Sequence, residues 1–413
     1  MLSYVPPMRQ RGAFYGWTVL AAAATIVAVG MGALFSLGVF LKPIEESTGW
    51  SRSDISMVAL INWLGMGLGS FVWGVLSDRI GGRAVAAAGG FVLGLGLVLS
   101  SQVSSLGQFH VTFGFMVGFA VGAFYAPLTS TATKWFTTNR GLALGVVSAG
   151  IGLGTFVVAP LARWLTNAWD WRVAMLVLGD LAWLTIIPAA LLIRNAPSEM
   201  GAVALGGTAA AQREFSPRQV VRAPQFWAIA LTHLACCAAH SGPIFHMVTH
   251  AIDQGVTAMV AATVFGVSGL TSIAGRIGCG LLADRFGAKR TLIAGLALQA
   301  AMVFSYLFTR DAGGFYAAAV AFGVAYGGVM PLYALVTRDY FGEKVMGTAY
   351  GAVFLISTLG MGLGSYAGGF IHDHLGTYAW LYISSTVIGV MAAVLALTFR
   401  PPRVALRTSA ISG

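Results

Sequence analysis

Residues 269–290, GLTSIAGRIGCGLLADRFGAKR, form an apolar segment that holds one guanidinium, Arg276, and then a charged turn that starts at Asp284. Eight residues separate these two side chains, which corresponds to about 12 Å along a helix. A permanent cation so far inside an apolar helix is costly, and such residues usually face a cavity and not lipid. We therefore expect Arg276 to line an internal cavity of a membrane protein.

The composition of the whole chain agrees with this interpretation. Of its 413 residues, 57% are hydrophobic and only 9% are charged, which is typical of proteins that cross a membrane many times. The 54 glycines suit close contacts between helices in lipid. The net charge of +10 comes from residues in short loops, so it indicates membrane orientation and not a nucleic-acid partner. Cys236, Cys237 and Cys279 lie in apolar segments and predict neither disulfides nor a metal site.

Twelve apolar segments of roughly 20 to 27 residues are each long enough to cross a bilayer. The longest polar segment runs from Arg194 to Pro224, between the sixth and the seventh of them. We therefore predict an all-α membrane protein with two pseudo-symmetric six-helix bundles, at 1–193 and 225–399, joined by a cytoplasmic loop at 194–224 and followed by a cytoplasmic tail at 400–413. The predicted spans are 14–41, 54–77, 84–104, 107–133, 140–164, 171–193, 225–251, 257–282, 289–309, 313–338, 346–371 and 378–399.

The two halves of the chain share a charged motif. GVLSDRIGGR at 74–83 recurs as GLLADRFGAKR at 280–290, and Asp78 and Asp284 are 206 positions apart (284 minus 78). At the same offset Gly141 matches Gly347, and each of these glycines starts a Gly-rich helix. Several matches at one offset indicate a duplicated six-helix unit.

The distribution of basic residues predicts how the chain is oriented. The loops on the side of both termini hold 18 lysines and arginines, the opposite loops hold 5, and Arg276 completes the total of 24. Loops rich in lysine and arginine stay in the cytoplasm, so we expect both termini and the central loop to be cytoplasmic.

The repeated motif resembles the signature of the major facilitator superfamily, Gly-x-x-x-Asp-Arg-x-Gly-x-Arg, and the resemblance covers nearly the whole chain. Within that superfamily the chain is similar to the monocarboxylate porters and the related oxalate/formate exchangers. The segments that carry this similarity are YGW at 15–17, GVFLK at 38–42, GWSR at 49–52, IFHMVTHAIDQG at 244–255 and GR at 275–276.

The resemblance implies roles for particular residues. In those porters the arginine matched by Arg276 binds the substrate carboxylate, and the position matched by His246 lies near it. Animal porters carry an aspartate where this chain has Ser272 and a lysine aligned with Phe35, and oxalate exchangers carry a lysine in helix 11, where residues 346–371 contain none. A single fixed cation favours a monoanion, because one guanidinium pairs with one carboxylate. Phe35 would make its part of the cavity apolar, which suits a small acid with an alkyl or aryl tail.

Other polar residues inside the predicted spans are further candidates. Tyrosine hydroxyls can donate to a carboxylate, so Tyr125, Tyr326 and Tyr333 are candidates for the cavity. Histidine titrates near neutral pH, which makes His246 the first candidate for proton coupling, and Asp180 is the second. The other three histidines of the same predicted helix are interpreted as packing residues: His233, His240 and His250.

The charged motifs predict gating contacts. Asp78 can cap the amino terminus of helix 11 near Gly347, and Asp284 that of helix 5 near Gly141, each contributing about 0.3–1 kcal/mol. Such contacts would close the cytoplasmic side and favour an outward-open state. The arginines of the two motifs would add ion pairs and contacts with lipid phosphates: Arg79, Arg83, Arg285 and Arg290.

Together these features favour a secondary transporter of the bacterial inner membrane that imports a small monocarboxylate, such as lactate or pyruvate, with a proton. An anion exchanger of the oxalate/formate type is the first alternative. Proton-driven efflux of another organic compound is the second, although Arg276 disfavours cationic drugs. The chain contains no Gly-x-x-x-x-Gly-Lys-Ser/Thr, His-Glu-x-x-His or Gly-x-Ser-x-Gly motif, so no enzyme, cofactor or metal is predicted. The resemblance implies a monomer.

Overall fold

The computed structural model describes residues 8–133, 135–136, 140–194, 215–342 and 345–402. All regular elements within these residues are helical. Twelve helices in this part of the chain are long and apolar enough to cross a membrane. The predicted all-α fold with twelve membrane helices is therefore confirmed.

Six of the membrane helices belong to the first half of the chain, and the turns between most of them are short. Their bounds are α1, Met8–Phe35 continuing as Leu37–Thr48; α2, Arg52–Ile80; α3, Gly82–Ser100; α4, built from Leu106–Phe109, the π-helical His110–Val117, Gly118–Val121 and Tyr125–Thr133; α5, Arg140–Ala168; and α6, Trp171–Leu192.

The second half repeats this arrangement. Its helices are α7, Pro224–Asp253; α8, Ala258–Phe286; α9, Ala288–Ser305 with a 3₁₀ turn at Tyr306–Phe308; α10, Ala312–Phe341; α11, Met346–Leu375; and α12, Ala379–Leu397. A short helix at Pro217–Arg222 precedes α7, and Ser216 caps its first turn. The predicted central loop is thus helical near its end, and its residues 195–214 lie outside the described part of the chain.

The first membrane helix is longer than the sequence predicted. A bend at Ser36, whose hydroxyl donates to the carbonyl of Ala33 at 2.6 Å, is followed by a further helical segment to Thr48 instead of an end at residue 41. Serine hydroxyls that bond to the preceding turn commonly bend a helix in this way. As a result Lys42 and Glu45 are carried on a helix and not on a free loop.

The two copies of the charged motif end their helices in the same way. Gly81 follows α2 with φ 85° and ψ 157°, and Gly287 follows α8 with φ 87° and ψ 145°. Only glycine adopts these angles at low cost, because it has no Cβ. The glycine of the repeat is therefore needed to turn the chain sharply into α3 and α9.

Small residues bring neighbouring helices together inside each half. A Cβ added at Gly275 of α8 would overlap the carbonyl oxygen of Val324 on α10, and one at Gly327 of α10 would overlap the backbone of Ser272. Helices in lipid associate largely through such close backbone contacts. This packing fixes the part of α8 that carries Arg276.

The two halves touch at one end of the molecule and separate towards the other. Gly369 of α11 packs directly against the backbone of Arg52 on α2, and we call this the Arg52 end. A Cβ added at Gly74 of α2 or at Gly351 of α11 would meet no atom within 4 Å, and this opposite end is called the Asp284 end. Among the described residues, the halves thus make no such close contact at Gly74 and Gly351, which indicates that the space between them opens towards the Asp284 end.

Replacing Gly275 by valine should destabilise the protein by roughly 1–3 kcal/mol, because the side chain forces α8 away from α10. Gly278→Val is the matched control, since a Cβ at Gly278 on the same helix meets nothing within 4 Å. The detergent-purified variants are heated to a series of temperatures, and size-exclusion chromatography measures the folded fraction and hence the melting temperature of each. Equal melting temperatures for both variants would contradict the packing described for α8 and α10.

Candidate functional site

A cavity lies between the two halves, about midway along the helices. Its empty space, including the part that is open to solvent, is about 660 Å³. Helices from both halves contribute to its wall, so it is shaped by the way in which the halves meet. The residues that line it are Met31, Phe35, Trp63, Met66, Tyr125, Ile151, His233, Cys237, His240, Arg276, Tyr326, Met330, Tyr350, Phe354, Ser357, Thr358 and Met361.

Arg276 supplies the positive charge of this cavity. Its side chain is 7% exposed, and it forms no ion pair with any residue that the structure describes. Its Nε is buried without a hydrogen-bond partner, and its guanidinium carbon lies 6.0 Å from the centre of the Tyr326 ring. The structure thus places Arg276 in the cavity wall without a compensating acid, while its role in binding stays a prediction.

The first half of the chain provides an apolar wall opposite this charge. Phe35 is buried there and packs against Trp63, with the ring centres 5.9 Å apart. It also approaches Phe245 at 6.1 Å and Phe265 at 6.3 Å. Four methionines complete the apolar lining of the cavity: Met31, Met66, Met330 and Met361.

Two of the three tyrosines predicted for the cavity lie in its wall. The hydroxyl of Tyr125 is 2.9 Å from that of Ser148, and the ring of Tyr326 stacks on Phe322 with a 5.6 Å separation. Tyr333 does not line the cavity. It is fully buried behind the wall and donates its hydroxyl to the carbonyl of Thr232 at 3.3 Å.

The histidines of α7 that line the cavity are not the one that was predicted to do so. His233 and His240 line it together with Cys237, whereas His246 does not. The spacing of 233, 237 and 240 is i, i+4, i+7, which places these residues on one helical face. The sequence contains this signal, because His246 is six residues from His240 and lies on a different helical face from residues 233, 237 and 240.

His246 instead belongs to the Arg52 end of the molecule. Its Nε2 donates to the carbonyl of Ser365 at 3.0 Å, and its Nδ1 accepts from the hydroxyl of Tyr378 at 3.2 Å. Both ring nitrogens are therefore engaged in contacts between helices. The structure does not bring His246 beside Arg276, contrary to what the resemblance implied.

A cluster of charged residues closes the Arg52 end, and it was not predicted as a site. Arg52 of α2 bonds to Glu45 at 2.9 Å and to Asp253 of α7 at 2.6 Å. Lys42 reaches the same Asp253 at 3.1 Å, and Tyr378 accepts from Arg52 at 3.0 Å. We call these residues the Arg52 cluster. Because Lys42 and Arg52 belong to the first half and Asp253 to the second, the cluster holds the two halves together.

The remaining predicted residues lie away from the cavity. Asp180 is exposed on α6. At the Asp284 end, Asp284 is exposed and makes no ion pair with a described residue. The side chain of Asp78 and the surroundings of Gly141 and Gly347 lie outside the described part of the chain. The gating role therefore stays a prediction. Among the arginines of the two charged motifs, Arg83 is half-buried and the others are exposed: Arg79, Arg285 and Arg290.

A membrane protein with two six-helix halves around a central cavity that is closed at one end has the architecture of a transporter. The sequence matches the Major Facilitator Superfamily over residues 20–364 and 277–412. These matches cover most of the chain, and the protein belongs to this family of multi-pass membrane transporters.

Individual relatives of the chain are also named as transporters. The chain is 29% identical to monocarboxylate transporter 11 of Homo sapiens over 392 residues, covering 90% of this chain and 80% of the relative. It is 26% identical to monocarboxylate transporter 13 of Bos taurus over 373 residues, covering 89% and 85%. It is 25% identical to the uncharacterized MFS-type transporter YhjX of Escherichia coli (strain K12) over 344 residues, covering 82% and 83%.

A solved structure shows the same fold. A bacterial homolog to human lysosomal transporter Spinster, in an inward-facing and occupied conformation, superposes with a TM-score of 0.71 at 16% identity. The match covers 95% of this chain and 97% of that chain. The fold is therefore shared over nearly the full length of both proteins.

Replacing Asp253 by asparagine keeps the size of the side chain and removes the charge that joins α7 to Arg52. For a partly exposed pair we expect the contact between the halves to lose about 2 kcal/mol of stability. The equilibrium between halves in contact and halves apart at the Arg52 end should then shift about 30-fold towards the separated state. Spin labels at the exposed positions Trp169 and Phe308, one on each half, should report longer distances in a variant without native cysteines.

Glu46→Gln is the control for Asp253→Asn, because it removes the same charge from an exposed residue of the same end. We expect its distance distribution to match that of the parent protein. If the distribution of Asp253→Asn also matched the parent, the Arg52 cluster would not hold the two halves together.

Proposed function

We propose that this protein transports small monocarboxylates, of the size of lactate or pyruvate, by proton symport and alternating access. The observation that carries the proposal is the buried guanidinium of Arg276, which faces a cavity between the two halves without an acidic partner among the described residues. An arginine keeps its charge at all physiological pH values. An organic anion is therefore the ligand that this cavity suits best.

The charge of the cavity favours an anion with one carboxylate. A guanidinium and a carboxylate form two parallel hydrogen bonds, and a second carboxylate would need a second cation. Among the described residues, Arg276 is the only lysine or arginine that lines the cavity. The names of the relatives, monocarboxylate transporters 11 and 13, support the same substrate class.

The apolar wall fits the other end of such a molecule. Phe35 and Trp63, together with the methionines of the cavity, would contact an alkyl or aryl tail while the carboxylate lies against Arg276. The hydroxyls of Tyr125 and Tyr326 would be available to a hydroxyl or keto oxygen of the substrate. This arrangement supports an amphipathic monoanion over a hydrophobic cation.

The two ends of the molecule support an alternating-access cycle. The Arg52 cluster holds the halves together at one end, and the halves are apart at the other. The distribution of basic residues assigns the Asp284 end to the cytoplasm of a bacterial inner membrane, so this conformation would be inward-facing. In the opposite state, the motifs of Asp78 and Asp284 would close the cytoplasmic side while the Arg52 cluster separates.

Arg276→Gln should abolish uptake or raise the KM by about 10- to 150-fold, because a charge-assisted pair contributes about 1.5–3 kcal/mol to binding. Uptake of labelled lactate, pyruvate, benzoate, formate and oxalate is measured in proteoliposomes with and without an inward proton gradient. Accumulation of a monocarboxylate that depends on the gradient supports symport. Uptake that instead requires an internal anion, regardless of the gradient, would identify an exchanger.

Arg310→Gln serves as the control for this experiment, because Arg310 is an exposed cation at the Arg52 end and should leave the KM unchanged. Normal transport by Arg276→Gln would show that Arg276 is structural, and the proposed substrate class would then be wrong.

A series of straight-chain acids should show the contribution of the apolar wall. Each buried methylene contributes about 0.8 kcal/mol, so affinity should rise roughly fourfold per carbon from acetate to butyrate and level off when the cavity is full. Phe35→Ala should flatten this series. Competition against labelled substrate gives the affinities, and an affinity independent of chain length would contradict a tail site at Phe35.

A further inference from the structure

His240 lines the cavity and has one nitrogen whose partner is defined. Its Nδ1 lies 2.7 Å from the carbonyl oxygen of Cys236, one helical turn earlier. A carbonyl oxygen can only accept, so Nδ1 carries the hydrogen and Nε2 of the neutral ring carries the lone pair. Nε2 is buried and makes no hydrogen bond with any described residue. The ring therefore presents a proton acceptor that points away from its own helix.

This acceptor lies close to the cation of the cavity. The imidazole centre of His240 is 5.3 Å from the centre of the Tyr326 ring, and the guanidinium carbon of Arg276 is 6.0 Å from the same point. The two groups can be no further apart than these two distances combined, which is about 11 Å. At that separation in a protein interior, two charges change each other's binding equilibria by about tenfold.

We infer that Nε2 of His240 takes up the proton that accompanies the substrate, and that a carboxylate bound to Arg276 makes this uptake favourable. The inference rests on the proposed function, because it requires an anion at Arg276. It assigns proton coupling to a residue of the cavity, in place of His246 and Asp180.

The surroundings of His240 make anion binding and proton binding interdependent. Among the titratable described residues that face the same cavity, Arg276 carries the permanent charge, and without an anion it opposes a second positive charge on the ring. A bound carboxylate removes that opposition, and by linkage a protonated ring strengthens anion binding by the same factor. The other described titratable groups of the cavity wall or next to it are Tyr125, His233, Cys236, Cys237, Tyr326, Tyr333 and Tyr350.

The net charge of the cavity is then the same in the unloaded and in the loaded state of the transport cycle. The unloaded site carries the single charge of Arg276, and the loaded site carries guanidinium, carboxylate and imidazolium, which again sum to one positive charge. The proton moves from water on the side of entry to Nε2 and leaves to water on the other side. The hydrogen on Nδ1 stays bonded to the carbonyl of Cys236 throughout. Transport should therefore be electroneutral, with one proton for each carboxylate.

Proton uptake on anion binding tests this assignment directly. The purified transporter in weak buffer near pH 7 with an indicator dye is titrated with lactate and with pyruvate, and binding is followed in parallel by calorimetry. The wild type should take up protons on binding, at most about half a proton per bound anion, because a tenfold coupling moves the protonation equilibrium by one pH unit. His240→Asn should take up almost none and bind the anion about tenfold more weakly, because the asparagine amide can keep the bond to Cys236 but offers no basic nitrogen.

His374→Gln is the matched control, since His374 makes the same bond to a carbonyl one turn earlier, Phe370 at 2.8 Å, but is exposed and far from the cavity. It should behave as wild type. In proteoliposomes His240→Asn should retain anion exchange and lose accumulation driven by the proton gradient. If His240→Asn is not monodisperse, His240→Gln replaces it in the same measurements of proton uptake, anion binding and transport.

The outcomes separate this inference from the proposed function. If wild-type protein binds neither acid, the proposed function is wrong. If wild-type protein binds the anion without proton uptake, or if both His240 variants bind it with wild-type proton uptake, the assignment of His240 is wrong and carboxylate binding at Arg276 stands.

Discussion

The uncompensated charge of Arg276 is the constraint on which the arrangement of the molecule depends. A guanidinium cannot become neutral by losing its proton, and a buried charge without a partner is strongly unfavourable. Within the described part of the chain no carboxylate supplies that partner. In the proposed function, an anion that enters the cavity would supply the partner that the described residues do not. The close packing of Gly275 against α10 holds the backbone next to Arg276 in place.

A second arginine shows the opposite arrangement. Arg52 is as buried as Arg276, but it bonds to Glu45 and Asp253 and accordingly fastens two parts of the chain. The two arginines therefore differ in what balances their charge: Arg52 pairs with carboxylates of the chain, whereas no described residue forms an ion pair with Arg276. The Arg52–Asp253 pair joins the two halves at the Arg52 end.

The sequence was sufficient for the fold because hydrophobic length and the repeated glycine turn are local properties. It also located Arg276, since the cost of a charge in an apolar helix does not depend on the details of packing. The Arg52 cluster could not be predicted in this way, because it joins Lys42 to a residue 211 positions away and requires a helix that continues past residue 41. The resemblance placed His246 near Arg276, but residues 233, 237 and 240 share the face of α7 that lines the cavity, and His246 lies on another face against Ser365 and Tyr378.

The four methionines of the cavity wall have a consequence beyond substrate fit. Thioether side chains are flexible and polarizable, so they adapt to tails of different shape. The same sulfur atoms are open to oxidation, and a sulfoxide would turn an apolar surface into a polar one. Oxidation of Met31, Met66, Met330 and Met361 would therefore make this wall of the cavity polar, and a reductase would have to reach all four side chains to restore the apolar surface.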